Sequence, residues 1–181
     1  MIAQSASSAS FAVMAETQRP DRRHQQPAGE RATLEAFLDD YRDIVVRKAS
    51  GLSDDDARRP LVPSGTSLGA LVKHLRWAEY GWFDQLLQGK SDHNHRAHER
   101  SWEFTVLPEE SLPTLVSEYQ NQCDESRQIA ARYPLDHEVP HHSFGRVSLR
   151  WIYAHMIEET ARHTGQIDIL REQLDGATGF D

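Results

Sequence analysis

Apolar residues recur every three or four positions along four separate stretches of this chain, and that period constrains the fold more than any other feature. The first stretch covers about 30–49, with Leu34, Phe37, Leu38, Tyr41, Ile44 and Val45 on one stripe, and stops at Ser50-Gly51. Ser53 and three aspartates then cap a short turn that ends by Pro60. The second stretch covers about 66–88, with Leu68, Leu71, Val72, Leu75, Trp82, Phe83 and Leu86 in line. The third covers about 109–132, with Pro113 in its first turn, where a missing N–H costs nothing. Its stripe includes Leu115, Val116, Tyr119 and Ile129. The fourth runs from near Ser148 to about Leu174, with Gly176 as its stop. No segment alternates with period two between hairpin turns, so strands are not needed. Four amphipathic helices in one domain predict an all-α, antiparallel four-helix bundle over 30–181. A connection as long as 89–108 reads as a binding loop, a lid or a segment with a short helix of its own.

The bulk properties narrow the function. The chain has 181 residues and a formal charge of −8, which argues against a nucleic-acid partner because phosphate binding needs a basic face. No apolar run reaches the roughly 18 residues of a membrane span, so no membrane partner is expected. The single cysteine, Cys123, excludes an internal disulfide framework and fits a reducing cytoplasm. It falls inside the third helical pattern and reads as a small core or half-exposed residue. Residues 1–29 are rich in Ser, Ala, Gln and Arg and read as a disordered leader. Their apolar run Phe11–Ala15 is too short for a signal-peptide core, and Met14 is an alternative start.

The chemistry points to the fourth helix. Its apolar positions run Ile152, Met156, Ile167, Leu170 and Leu174, and positions 159 and 163 complete that series, yet they hold Glu159 and His163. A charged group on a core-facing seam is costly unless it is paired or bound to a metal. His155, Glu159 and His163 are spaced by four, so neighbours lie about 6 Å apart along the axis and the ends about 12 Å. One ion can take Glu159 with one histidine but hardly with both. His163 lies nearer the stripe centre, so Glu159 and His163 form the better pair. A plain surface Glu–His hydrogen bond at this spacing remains the competing reading.

A third ligand must come from another helix, and His74 is the candidate. Its strip of the second helix is Ala70, His74, Ala78 and Gly81, whose small residues let another backbone approach. A core histidine with one hydrogen bond is the alternative. Glu79 also falls inside an apolar stripe and is expected to pair with Arg150 or Arg76, with an acid/base role as the alternative. Of the ten histidines, His24 lies in the leader, while His93, His95 and His98, and His137, His141 and His142, read as solvated loop residues. A His, Glu, His set with an open position suits Zn²⁺ and also admits Ni²⁺, Fe²⁺ or Mn²⁺. The protease spacing His-Glu-Xaa-Xaa-His is absent, because Met follows His155.

The segment Ser67–Phe83 resembles the second helix of the DinB-like (YfiT-like) metalloenzyme superfamily. Ser148–Gly179 is similar to the fourth helix of an actinobacterial branch of it. The resemblance spans about 30–179. It implies a four-helix bundle holding a metal with one histidine of helix two and two residues of helix four. Many members use two histidines on helix four. Here Glu159 stands in place of the first, as in the similar His, Glu, His zinc set of mycothiol-dependent maleylpyruvate isomerases. Carried over by position, the implied ligands are His74, Glu159 and His163. The implied activity is activation of a low-molecular-weight thiol such as mycothiol, as co-substrate, for transfer to or isomerisation of a small electrophile. A non-catalytic metal-binding stress-response module that dimerises, and a metal-dependent hydrolase, are the alternatives. Trp77 and Tyr80 face away from the main stripe and fit either a homodimer interface or a cover for the bundle's flank.

Overall fold

The computed structural model describes residues 29–90 and 102–179. Helix α1 spans Glu30–Ala49 and α2 spans Asp54–Arg58. Helix α3 covers Leu68–Glu79 and continues into a π-helical segment, Tyr80–Leu87. A 3₁₀ turn at Trp102–Phe104 precedes α4, Leu112–Ala130. The strands β1, Glu138–His141, and β2, Gly145–Ser148, then lead into α5, Leu149–Asp175. The expected leader, and with it His24, lies outside the described residues apart from Gly29, as do His93, His95 and His98.

The helix ends follow from local chemistry. Ser53, Ser67, Ser111 and Ser148 each accept a hydrogen bond from a backbone N–H in the first turn of α2, α3, α4 and α5. Such a cap satisfies a donor that the helix itself cannot. Gly176 ends α5 at φ +79°, a left-handed conformation that favours glycine, and its N–H returns to the Glu172 carbonyl.

Two expectations are corrected. The predicted helix over 66–88 is α-helical only to Glu79. Its apolar stripe could not show the change, because Tyr80, Phe83, Asp84 and Leu87 all turn inward at a spacing that an ordinary α-helix shares. The chain also contains an antiparallel hairpin, with Val139 opposite Val147 and His141 opposite Gly145. Each strand has four residues and buries a single one, so no alternation could develop. Two backbone bonds, Leu149 N–H to the His137 carbonyl and Arg150 N–H to the Leu135 carbonyl, fasten the hairpin approach to α5.

The long helices pack pairwise, α1 on α5, α3 on α4 and α3 on α5. They bury two apolar clusters. One gathers Val45, Leu71, Leu75, Leu115, Tyr119 and Ile167. The other gathers Leu38, Phe83, Ile129, Leu149, Ile152 and Met156. Phe37, expected on the α1 stripe, is exposed, while Arg42 is buried.

Arg42 lies between the two clusters. Its Nε donates to Glu79 Oε1 at 2.7 Å and its Nη2 to Oε2 at 2.6 Å, with the two side chains 4% and 1% exposed. Burial opposes the charge on Arg42, but the Glu79 carboxylate more than offsets it and the guanidinium stays protonated. The expected partners of Glu79 are elsewhere. Arg150 reaches Glu30 and Asp136, and Arg76 lies 3.8 Å from the Trp77 ring centroid. A planar, two-pronged guanidinium matches a carboxylate across a helix pair, whereas Arg76 sits on the same helix and is drawn to an aromatic face.

Glu79→Ala removes the two-pronged partner of the buried Arg42 and leaves it only Asp39, 3.0 Å from Nη1, and is expected to cost about 3–5 kcal/mol in urea unfolding. Adding Arg42→Met should recover most of that loss. A single-variant effect below about 1 kcal/mol would contradict a buried pair.

Candidate metal centre

His74 on α3 and Glu159 and His163 on α5 converge at one point. His74 Nε2 lies 3.0 Å from Glu159 Oε1, and His163 Nε2 lies 3.1 Å from the same oxygen. One ligand-type atom from each residue falls within 4.8 Å of the others. Among the described residues no other three His, Cys, Asp or Glu side chains gather this way.

Each imidazole is also held from behind. His74 Nδ1 lies 3.1 Å from Glu103 Oε2, and the His74 ring stacks on Phe104 with centroids 4.3 Å apart. His163 Nδ1 lies 2.7 Å from Gln166 Oε1. Both rings therefore turn Nε2 inward and Nδ1 outward, the arrangement by which an outer partner fixes a metal-binding imidazole.

The protonation pattern tests whether a cation fits. His74 has a carboxylate at each ring nitrogen, so both nitrogens must carry hydrogen unless a cation replaces one of them. Burial pushes His74 down, but the hydrogen bonds to Glu103 and Glu159 outweigh it and raise it above the ordinary histidine value. Glu159 is held well below the usual carboxylate range, by the hydrogen bond from His163 first and that from His74 next, against an opposing effect of burial. Glu159 thus remains an anion with two N–H groups aimed at one oxygen. A divalent cation in place of the two inward protons meets two imidazole nitrogens and a carboxylate oxygen, a donor set that suits Zn²⁺ and its neighbours.

Several sequence expectations meet their geometry here. Glu159 and His163 do not fill core slots. Thr160 and Thr164 do, at 0% and 4% exposure, while Glu159 and His163 sit half-buried on the flank. Steps of three, four, four and steps of four, four, three both lead from Met156 to Ile167, so the spacing could not choose between the two rows. His155 takes no part in the cluster. It packs against Trp82, with centroids 4.4 Å apart, and stacks on Trp151 at 5.2 Å. His141 serves the hairpin, where Nδ1 accepts from the Ser143 and Phe144 N–H groups. Glu103, Phe104 and Gln166 were not anticipated. Gln166 was legible as the neighbour three residues beyond His163. Glu103 and Phe104 lie in an irregular segment that carries no periodic signal.

Two imidazoles and a carboxylate, presented by two packed helices and backed by outer hydrogen bonds, define a helical domain with a candidate metal centre. The family model described as mycothiol-S-transferase matches residues 33–176, and the chain belongs to that family. No curated protein matches it. Among the described residues no helix is long and apolar enough to cross a membrane.

Cys123 stands apart from the site. Burial, and next the Glu79 charge, push its thiol far above the ordinary range. Iodoacetamide at pH 8 should leave the folded protein unlabelled and react once urea unfolds it. Rapid labelling of the native protein would contradict this environment.

Proposed function

We propose that this protein is a metal-dependent transferase that joins a low-molecular-weight thiol, mycothiol in the first instance, to a small electrophile. In this reading the helices form the antiparallel four-helix bundle expected from the sequence, and the enzyme works in a reducing cytoplasm. His74, Glu159 and His163 hold one divalent ion, zinc ahead of nickel, iron or manganese. The observation that carries the reading is the approach of His74 Nε2 and His163 Nε2 to the single oxygen Glu159 Oε1. The family's description supplies the thiol.

A divalent ion so held supplies a Lewis acid that stabilises a bound thiol as its thiolate. The chain's own residues do the rest. Glu159 brings one negative charge, which lowers the net charge of the centre without cancelling it. Glu103 and Gln166 keep both imidazoles turned inward. The buried Cys123, with its raised thiol, is no substitute for an external one, so the sulfur that attacks comes from the co-substrate. The thiol gives up its proton to solvent, its sulfur bonds to an electrophilic carbon, and the bond from that carbon to the displaced group breaks with its electron pair leaving on that group.

The untagged protein should carry one metal per chain by elemental analysis, and His74→Ala and Glu159→Ala should each lose it. Stoichiometric metal in both variants would overturn the ligand assignment. A second experiment separates transfer from hydrolysis, using chlorobimane, which becomes fluorescent on thiol substitution. Turnover should require both mycothiol and metal and should stop on chelation. Metal-dependent turnover of an ester or amide without thiol would favour a hydrolase instead.

A further inference from the structure

The residues behind His74 form a connected device that the proposed reaction does not by itself require. Lys73, immediately before His74, is 3% exposed. Its ammonium donates to the Thr105 carbonyl at 2.9 Å and pairs with Glu110 at 2.8 Å. The same ammonium lies 4.3 Å from the Trp102 ring centroid. Glu110 in turn accepts from the Leu107 N–H at 2.7 Å. Trp102 also packs on Trp77, one turn along α3 from Lys73, with centroids 5.0 Å apart. Lys73 and Trp77 therefore anchor this segment at Trp102 and Thr105, and Glu103 and Phe104 lie between those anchors.

The turn grips His74 twice. Glu103 meets its Nδ1 edge at 3.1 Å, and Phe104 covers a ring face at an interplanar angle of 20°. A ring held at one edge and one face has a single orientation left, with Nε2 toward Glu159. The Glu103 side chain is 21% exposed, so its hydrogen bond is partly shielded from water.

We infer that Glu103 is a positioning residue for the metal centre, fixing the tautomer and orientation of His74, and that Lys73 and Glu110 hold the turn that delivers it. The inference rests on the reading of His74 as a ligand. Glu103 acts through His74 and takes no place among the three ligands. A carboxylate behind a ligating imidazole raises its basicity and removes the entropy of turning the ring, and loss of such a partner typically weakens metal binding about 10–100-fold.

The test compares full-length wild type with Glu103→Ala and Glu103→Gln, since Gln still accepts from Nδ1–H. Zinc affinity is measured by competition with a chromophoric chelator, and the ligand-field absorption of the Co²⁺-loaded proteins is recorded. Glu103→Ala should bind zinc about 10–100-fold more weakly, with shifted Co²⁺ bands, while Glu103→Gln recovers most of both. Melting of the metal-free proteins checks that each variant folds. A Glu103→Ala protein with wild-type affinity and spectrum overturns the inference. If wild type itself takes up no zinc, the metal assignment fails, and nitrogen-15 NMR of the metal-free proteins decides this point separately. The His74 Nδ1–H signal should then be protected from exchange in wild type and Glu103→Gln and lost in Glu103→Ala. An unchanged signal in Glu103→Ala overturns it.

Discussion

The buried pair between Arg42 and Glu79 is the interaction around which the helices are arranged. Two fully desolvated charges survive in an apolar interior only when each is closely met by the other, and the two-pronged contact at 2.6 and 2.7 Å does this. The pair divides the core. On α1, Leu38 and Val45 lie on either side of Arg42, and on α3 and its extension Leu75 and Phe83 lie on either side of Glu79. On α5, Thr160 and Thr164 are buried between Met156 of one cluster and Ile167 of the other. A layer of buried polar side chains thus separates the two apolar clusters on α1, on α3 with its extension, and on α5.

The candidate metal centre lies on the flank of that layer. Because Thr160 and Thr164 face the core, Glu159 and His163 are left half-buried, out of the apolar interior but not fully in water. That position serves a metal ligand well. The carboxylate is shielded enough for its contacts with two imidazoles to be strong, yet its side chain stays 23% exposed. The relation of α3 to α5 brings His74 to the same oxygen that His163 meets, and the Trp102–Phe104 turn locks it there. Preorganisation is thus distributed: the helices set the distances, and Glu103, Phe104 and Gln166 set the ring directions.

Much of this was legible because helices write themselves in period 3.6. The extents of α1, α4 and α5 follow from stripes, serine caps and Gly176, and the three converging side chains were named from polar residues on apolar strips. The row was misassigned by one position, because three- and four-residue steps reach Ile167 from Met156 along either path. His74 follows from its strip of small neighbours on the second helix, where a core histidine is the alternative, and the resemblance implies the same set. Other features leave no periodic trace. The hairpin buries one valine per strand, and the π-helical segment keeps the inward spacing of an ordinary helix. Arg42 sits across the core from Glu79, thirty-seven positions away in sequence, where no local pattern links them. Glu103 lies in an irregular connection, and only three-dimensional contact reveals it.

The central claim is that two imidazoles and one carboxylate enclose a single ion. Anomalous diffraction from zinc-soaked crystals, collected on both sides of the zinc absorption edge, tests it most directly. The account predicts one strong peak in each chain, bounded by His74 Nε2, His163 Nε2 and a Glu159 carboxylate oxygen at about 2.0–2.2 Å. A peak centred on other residues, or none at these three with zinc in excess, would contradict it.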